Sequence, residues 1–415
     1  MLSDKASACC TFLYAWELGA AFGHIAQFAA YAEALMAQGH AVHFAVRETA
    51  QCARLLPAGS RWFQAPKIDE ASRSTQPSSY ADILLYHGYD DAGVLGGLLV
   101  AWREIITAVQ PDLIIADHAP TAILVARLMG VRVMLFGNGF TLPPMQDPYP
   151  AMRHWQPVMR SRLARSSATA LSSINTALSM LRGMPLKRLS DLFDVAETAL
   201  MGTPELDHYA GRGPAQYWGP AGTFSGNTIA PGWTENGRPR IFGYLKPDHP
   251  HLATLLPALA ARDDDILLSI PGWRAPACTG PRMRIVRELV DLDEVARSAS
   301  LAIVCGSGTT IHLLTAGIPV LCLPMHLEGF LLGLRVVALG AGAVVNPEAV
   351  SLDATKVIDD LLSSARVKAS AHAFAEKYAA FDQVTVVRNY TQRALTLARE
   401  RPGEVADGQE IRQSI

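Results

Sequence analysis

Across 415 residues the chain has no excess of either charge. Its 36 Lys and Arg stand against 38 Asp and Glu, a net charge of −2. No global field recruits nucleic acid at that balance. Only 18% of residues are charged and half are apolar, a composition of well-packed globular domains that argues against disorder. Cysteine is sparse. Cys9, Cys10, Cys52, Cys278, Cys305 and Cys322 show no metal-ligand spacing, and the histidines form no HExxH or Cys/His pattern, so a zinc site is not expected. Several of these cysteines lie inside apolar runs, which suits small reduced core residues of a cytoplasmic protein. Met1–Ala8 is mixed and polar, with no evident signal peptide, and the apolar run Ala8–Trp16 is too short to cross a bilayer. No other segment is read as spanning length, so a soluble protein is expected. Internal repeats of short period are also absent.

What is present is alternation. Cys10–Ala15 reads as a buried strand, after which Ile25, Phe28, Ala29, Ala32, Leu35 and Met36 recur at helical spacing up to Gly39. Ala41–Val46 is a second strand. Leu113–Ala116, with Asp117 at its end, precedes a helix over Thr121–Met129 and a strand over Val131–Phe136. Such a series predicts a parallel sheet covered by helices on both faces. From Pro143 to about Leu206 the pattern is helical without strands. Gly211–Pro239, rich in Gly, Pro, Thr and Asn, reads as a linker. A second βα series runs through Arg240–Tyr244, Ile266–Ile270 and Leu301–Cys305 to about Val345, with helices over Val357–Leu362 and Ala371–Ala398 closing that domain. The length suits two domains of about 200 residues each. The boundaries expected are residues 1–210, a linker 211–239, a second domain 240–385, and a helix with a polar tail over 386–415. The fold class expected is α/β, with two Rossmann-like domains facing each other across a cleft.

Leu301–Pro324 is the most informative stretch: a buried strand, the loop Gly306-Ser307-Gly308, a short helix over Thr309–Ala316 stopped by Gly317, and a second strand. Glycines there let a ligand approach the backbone, and free N–H groups at the helix start favour a phosphate or pyrophosphate. Tight strand-to-helix turns use the same residues for steric reasons alone, so the loop needs company.

That company is a resemblance. Gly23-His24 followed by Gln38-Gly39-His40-Ala41-Val42 resembles the strand–loop–helix GHxxP…ALxxRGHxV of the GT-B glycosyltransferases, especially bacterial relatives of the UDP-glycosyltransferases. Arg240–Pro250 is similar to the opening of their C-terminal domain. Gly306–Pro324, His326-Leu327-Glu328 and Val337–Gly342 resemble the donor-binding signature. The resemblance implies metal-independent, inverting transfer of a sugar from a UDP or dTDP sugar to a hydroxyl of a small apolar acceptor, with no cofactor beyond that co-substrate. Three departures stand out. Val304-Cys305 replaces a His ahead of the first glycine, His312 stands where many relatives have Glu, and Gly329 replaces the Gln of an acidic–Gln pair. They motivate an alternative, a non-catalytic partner of another transferase; an epimerase on the same fold ranks last.

In the transferase scheme His24 is the general base, its imidazole titrating near neutral pH. By position alone a capping or packing histidine is favoured, and the resemblance reverses that. Asp117 would orient the ring, its plainer role being an N-cap for the helix starting near Pro120. His118 is a neighbouring rival base. Gly306, Ser307, Gly308, Thr309 and Thr310 would offer N–H groups and hydroxyls to the diphosphate. Lys246 would add the cation that a helix end, carrying about half a charge, leaves wanting. His312 is expected in the first helical turn near ribose or phosphate, Glu328 at the sugar hydroxyls, and Trp273 beside the base or simply packed. Phe140, Met145, Tyr149, Met152, Trp155 and Met159 suit an acceptor wall. Arg153, Arg160, Arg162 and Arg165 suit a solvated basic helix or, less well, peripheral contact with an anionic membrane. Asp263-Asp264-Asp265 reads as a solvated turn at the far end of its strand.

Overall fold

The computed structural model describes residues 9–19, 23–68, 76–220, 228–234, 237–274, 282–348 and 351–400. Two wholly parallel sheets organise them, giving the α/β class expected. The first contains β1 (Thr11–Trp16), β2 (Ala41–Val46), β3 (Arg61–Gln64), β4 (Leu113–Asp117) and β5 (Arg132–Leu135), in the order β3-β2-β1-β4-β5. The second contains β6 (Arg240–Tyr244), β7 (Asp265–Ser269), β8 (Met283–Val286), β9 (Leu301–Val304), β10 (Val320–Cys322) and β11 (Gly342–Val344), in the order β8-β7-β6-β9-β10-β11. Each order reverses beside its first strand, between β1 and β4 and between β6 and β9. Ligand crevices open outside the carboxyl ends of strands at such switch points.

Both faces of the first sheet are covered, which is why its central strands read as nearly continuous apolar runs. Phe12, Tyr14 and Trp16 pack with Leu113 and Ile115 beneath α1 (Gly23–Ala37). Leu13 and Ala15 face the other way, towards Leu95, Leu99, Trp102 and Ile106 of α2 (Ala92–Val109) and the apolar residues of α3 (Pro120–Met129). Pro120 opens α3 without losing a bond, because the first N–H groups of a helix have no intrahelical partner, and Gly130 closes it at φ 69°. The edge strands β3 and β8 escape a hydrophobicity reading because their side chains are mostly exposed or half-buried.

Four expectations are corrected. Residues 143–206 are not helical throughout: one long helix, α4 (Arg160–Met180), stands among irregular chain, and Leu200–Met201 is a strand. It pairs with Tyr217–Gly219, inside the stretch read as linker, where Thr228–Ile229 also pairs with Leu289–Val290. Gly and Pro density hid these short pairings. The helix expected over Ala371–Ala398 is two helices, Ala365–Lys377 and α7 (Gln383–Arg399). Rather than closing the second domain, α7 returns to the first. Tyr390 is buried among Tyr31 and Phe136, its hydroxyl donating to the Leu135 carbonyl at 3.0 Å. An amphipathic pattern says that a face is buried, not against which sheet. Finally, α2 is long and apolar enough to cross a membrane, although the sequence reading found no such segment. Its buried stripe against the first sheet is that of a core helix.

Candidate active site

At the carboxyl ends of β1 and β4 the strand period sets the chemistry. Leu113, Ile115 and Asp117 share the face towards α1, and Trp16 lies directly opposite Asp117 in the parallel register. The first turn of α1 brings His24 onto that face. Its ring stacks on Trp16 with centroids 5.0 Å apart, and its Nδ1 lies 2.9 Å from Asp117 Oδ2. The same carboxylate oxygen accepts from the Tyr14 hydroxyl at 2.7 Å. Asp117 is 3% exposed, so both donors act away from water. The carboxylate makes Nδ1 the protonated nitrogen of His24 and leaves Nε2 free to accept. Burial pushes the imidazole towards its neutral form, but the charge and hydrogen bond of Asp117, helped by Glu328, outweigh it and raise the pKa above the ordinary histidine value.

Asp117 does not cap α3. Ala119 occupies the cap without a side-chain bond, and buried Glu17 supplies the acceptor instead, its Oε1 taking the Thr121 N–H at 2.6 Å. Burial lifts the Glu17 carboxyl to about 7 against the hydrogen bonds from Thr121.

Facing this pair is the turn after β9. α5 (Ser307–Thr315) starts two residues earlier than the sequence suggests, with Gly306 as its N-cap in extended conformation. Ser307, Gly308 and Thr309 therefore form a first turn whose N–H groups have no intrahelical acceptor. Thr310 offers less than expected: it is buried and its hydroxyl already donates to the Gly306 carbonyl at 2.9 Å. His312 lies in the second turn rather than the first. Its Nε2 is 3.1 Å from Asp293, and burial lowers its pKa against the pull of that carboxylate. Lys246 follows β6 at the same edge. Its charge and backbone N–H bear on the Cys305 thiol, which burial nonetheless holds above the usual cysteine range.

The two edges meet. Gln27, one turn after His24 on α1, has its Nε2 3.3 Å from where a Cβ on Gly308 would lie. Glu328, in the first turn of α6 (Leu327–Leu339), accepts from Asn138 Nδ2 at 2.8 Å. Asn138 is set for this by its own Oδ1, which takes the Phe140 N–H at 2.9 Å. Gly329 has a steric reason: a Cβ there would sit 3.0 Å from that of Pro324.

No family model and no curated protein matches the chain. Solved structures do. Glycosyltransferase SnogD from Streptomyces nogalater superposes with a TM-score of 0.64 at 17% identity, over 94% of this chain and 100% of that one. The calicheamicin glycosyltransferase CalG4 gives 0.67 at 17% identity, over 97% and 100%. Glycosyltransferase VinC, solved in complex with dTDP, gives 0.63 at 18% identity, over 92% and 100%. The fold is GT-B.

On this GT-B frame the residues expected to line an acceptor site separate. Phe140 lies between His118 and His208, with ring centroids 6.2 and 5.9 Å away. Tyr149 and Met152 are core residues, each 1% exposed, and the Tyr149 hydroxyl donates to the Leu189 carbonyl. Trp155 packs edge-on against Phe330 of α6 at 5.0 Å, while Met145 and Met159 are exposed. Arg153 is buried and paired with Glu348, not solvated. Trp273 packs against the apolar face of the second sheet. The Asp263–Asp265 run lies where β7 begins: Asp263 pairs with Arg238 and Arg282, Asp264 with Arg262, and Asp265 accepts from Thr234. Cys278 lies outside the described residues. Among the described residues no cluster of His, Cys, Asp or Glu is arranged to hold a metal.

Tyr14, Gln27 and Asn138 are the members that sequence reasoning missed. Gln27 had a usable signal, its i+3 spacing from His24 on one helix face. Tyr14 and Asn138 had none, because each acts through a contact made only by the folded chain.

Proposed function

We propose that this protein transfers a sugar from a nucleotide diphosphate sugar to a hydroxyl of a small acceptor, with inversion at the anomeric carbon. The observation that carries this reading is the juxtaposition of His24 with the first turn of α5, two side chains from opposite lobes bridging the space between. His24 Nε2 takes the hydroxyl proton while the acceptor oxygen bonds to the anomeric carbon. The bond from that carbon to the diphosphate breaks, and its electron pair leaves with the phosphate. Asp117 stabilises the imidazolium so formed. A single base and a direct displacement give inversion. The leaving charge meets the N–H groups of Ser307, Gly308 and Thr309 and the Lys246 ammonium, so the scheme calls for no metal. Glu328 and Asn138 bind sugar hydroxyls between the lobes. The donor nucleotide proposed is UDP or dTDP, the latter being what VinC holds.

Thermal unfolding in the presence of UDP, dTDP and GDP tests the donor half, since a ligand that binds only the folded state raises stability by about 2.7 kcal/mol at a hundred times its Kd. UDP or dTDP is expected to raise the midpoint. No shift with any nucleotide diphosphate contradicts the reading.

A further inference from the structure

We propose that His118 is a second imidazole of the acceptor site, donating from Nδ1 to the oxygen of the acceptor hydroxyl while His24 Nε2 takes its proton. This rests on the transferase reading above. Gly19, with φ 89°, marks the place: a Cβ built on it lies 3.2 Å from His24 Nε2 and 3.4 Å from His118 Nδ1. Both nitrogens thus face one small volume that a residue without a side chain leaves open. The two rings are 6.5 Å apart, and Tyr80 and Phe140 wall the far sides of His118 at 5.9 and 6.2 Å.

The backbone is bent to achieve this. His118 has φ 49°, a left-handed conformation that non-glycine residues seldom adopt and that clusters at functional sites. Its carbonyl is pinned by the Leu18 N–H at 3.0 Å, which fixes the turn against the segment leading to Gly19.

The tautomers are complementary. His118 Nε2 is buried with no hydrogen-bond partner. Buried N–H groups without acceptors are rarer than unused acceptors, so the proton belongs on Nδ1. His24 has the same tautomer, but its Nδ1–H is spent on Asp117 and its bare Nε2 faces the Gly19 volume. A hydroxyl placed there finds an acceptor for its hydrogen and a donor for its oxygen, with one lone pair left for the anomeric carbon. His118 keeps its proton through the step; the hydroxyl proton goes to His24. Burial first, then the charges of His24, His87 and Arg47, hold His118 neutral.

The test compares His118→Phe, which fills the space without a donor, with His118→Asn, whose amide N–H replaces Nδ1–H and whose backbone tolerates positive φ. UDP-glucose and dTDP-glucose are the donors, and water and 4-methylumbelliferone the acceptors. The Phe variant is expected to lose roughly 100-fold in kcat, with the nucleotide-induced thermal shift unchanged and the Asn variant recovering most of the rate. A Phe variant as fast as wild type, or an Asn variant no better than Phe, overturns the assignment. If wild type consumes neither donor, the transferase reading fails separately. Histidine ¹⁵N spectra of the wild-type protein still decide His118: a neutral Nδ1–H tautomer is expected between about pH 5 and 8, and an Nε2–H tautomer or an imidazolium overturns it.

Discussion

On the first sheet's side of the groove the working atoms belong to side chains; on the second sheet's side they belong to the backbone. Asp117 Oδ2 is held by Tyr14 and in turn holds His24, three buried groups in one fixed chain. Opposite them stand the N–H groups of Ser307, Gly308 and Thr309, while nearby side chains are engaged elsewhere: Thr310 with Gly306, His312 with Asp293, Glu328 with Asn138. A side-chain site fails when one residue changes. A backbone site needs only a strand, a small-residue turn and a helix start. That contrast explains how Val304, His312 and Gly329 depart from the resembled pattern while α5 keeps its cradle.

The sharpest way to break the comparison is Asp117→Asn. On the side-chain half a single change should cost roughly 100- to 10,000-fold in kcat/KM. It should also move the pH profile. His24 is raised above the ordinary histidine value, so kcat/KM should climb through an acid limb above pH 6.5. Without the carboxylate, burial is left to lower the pKa, and the limb should shift to lower pH; a limb that stays put refutes the pairing. The same shift carries a stability term. The His24⁺–Asp117⁻ pair contributes fully below the unfolded histidine pKa and is lost as pH rises through the raised folded one.

Gly329→Gln sharpens the donor half, since restoring the absent amide forces atoms against Pro324. It should destabilise by about 1–3 kcal/mol in urea unfolding, with no gain in dTDP affinity; tighter binding would mean that the side chain, not the backbone, limits the cradle. Tyr14→Phe removes one donor to a buried carboxylate and should cost about 1–2 kcal/mol in the same measurement. Asn138→Ala should be mildest, at about 1 kcal/mol or less in donor binding, read as a small rise in donor KM with kcat nearly kept.

Legibility followed the same division. β2 and the core of β1 and β4 were readable because buried parallel strands leave long apolar runs, and His24 and Asp117 were readable because they terminate elements with clear periodicity. Gly306 to Thr309 were readable as small residues at a strand-to-helix turn. The destination of α7 was not, because its amphipathic face carries no address. The start of α5 was misplaced by two residues because Ser307 and Gly308 suit a loop as well as a first helical turn. Glu17 and Tyr14 looked like ordinary neighbours of β1, and only the fold aims one at Thr121 and the other at Asp117.

The account turns on His24 acting as base across the groove, and single-turnover donor consumption by His24→Ala measures this most directly. UDP-glucose or dTDP-glucose, whichever wild type consumes, should disappear at least about 100-fold more slowly in the variant, with the thermal shift from the matching nucleotide diphosphate unchanged. A variant that binds the nucleotide and consumes the sugar donor at the wild-type rate would contradict it.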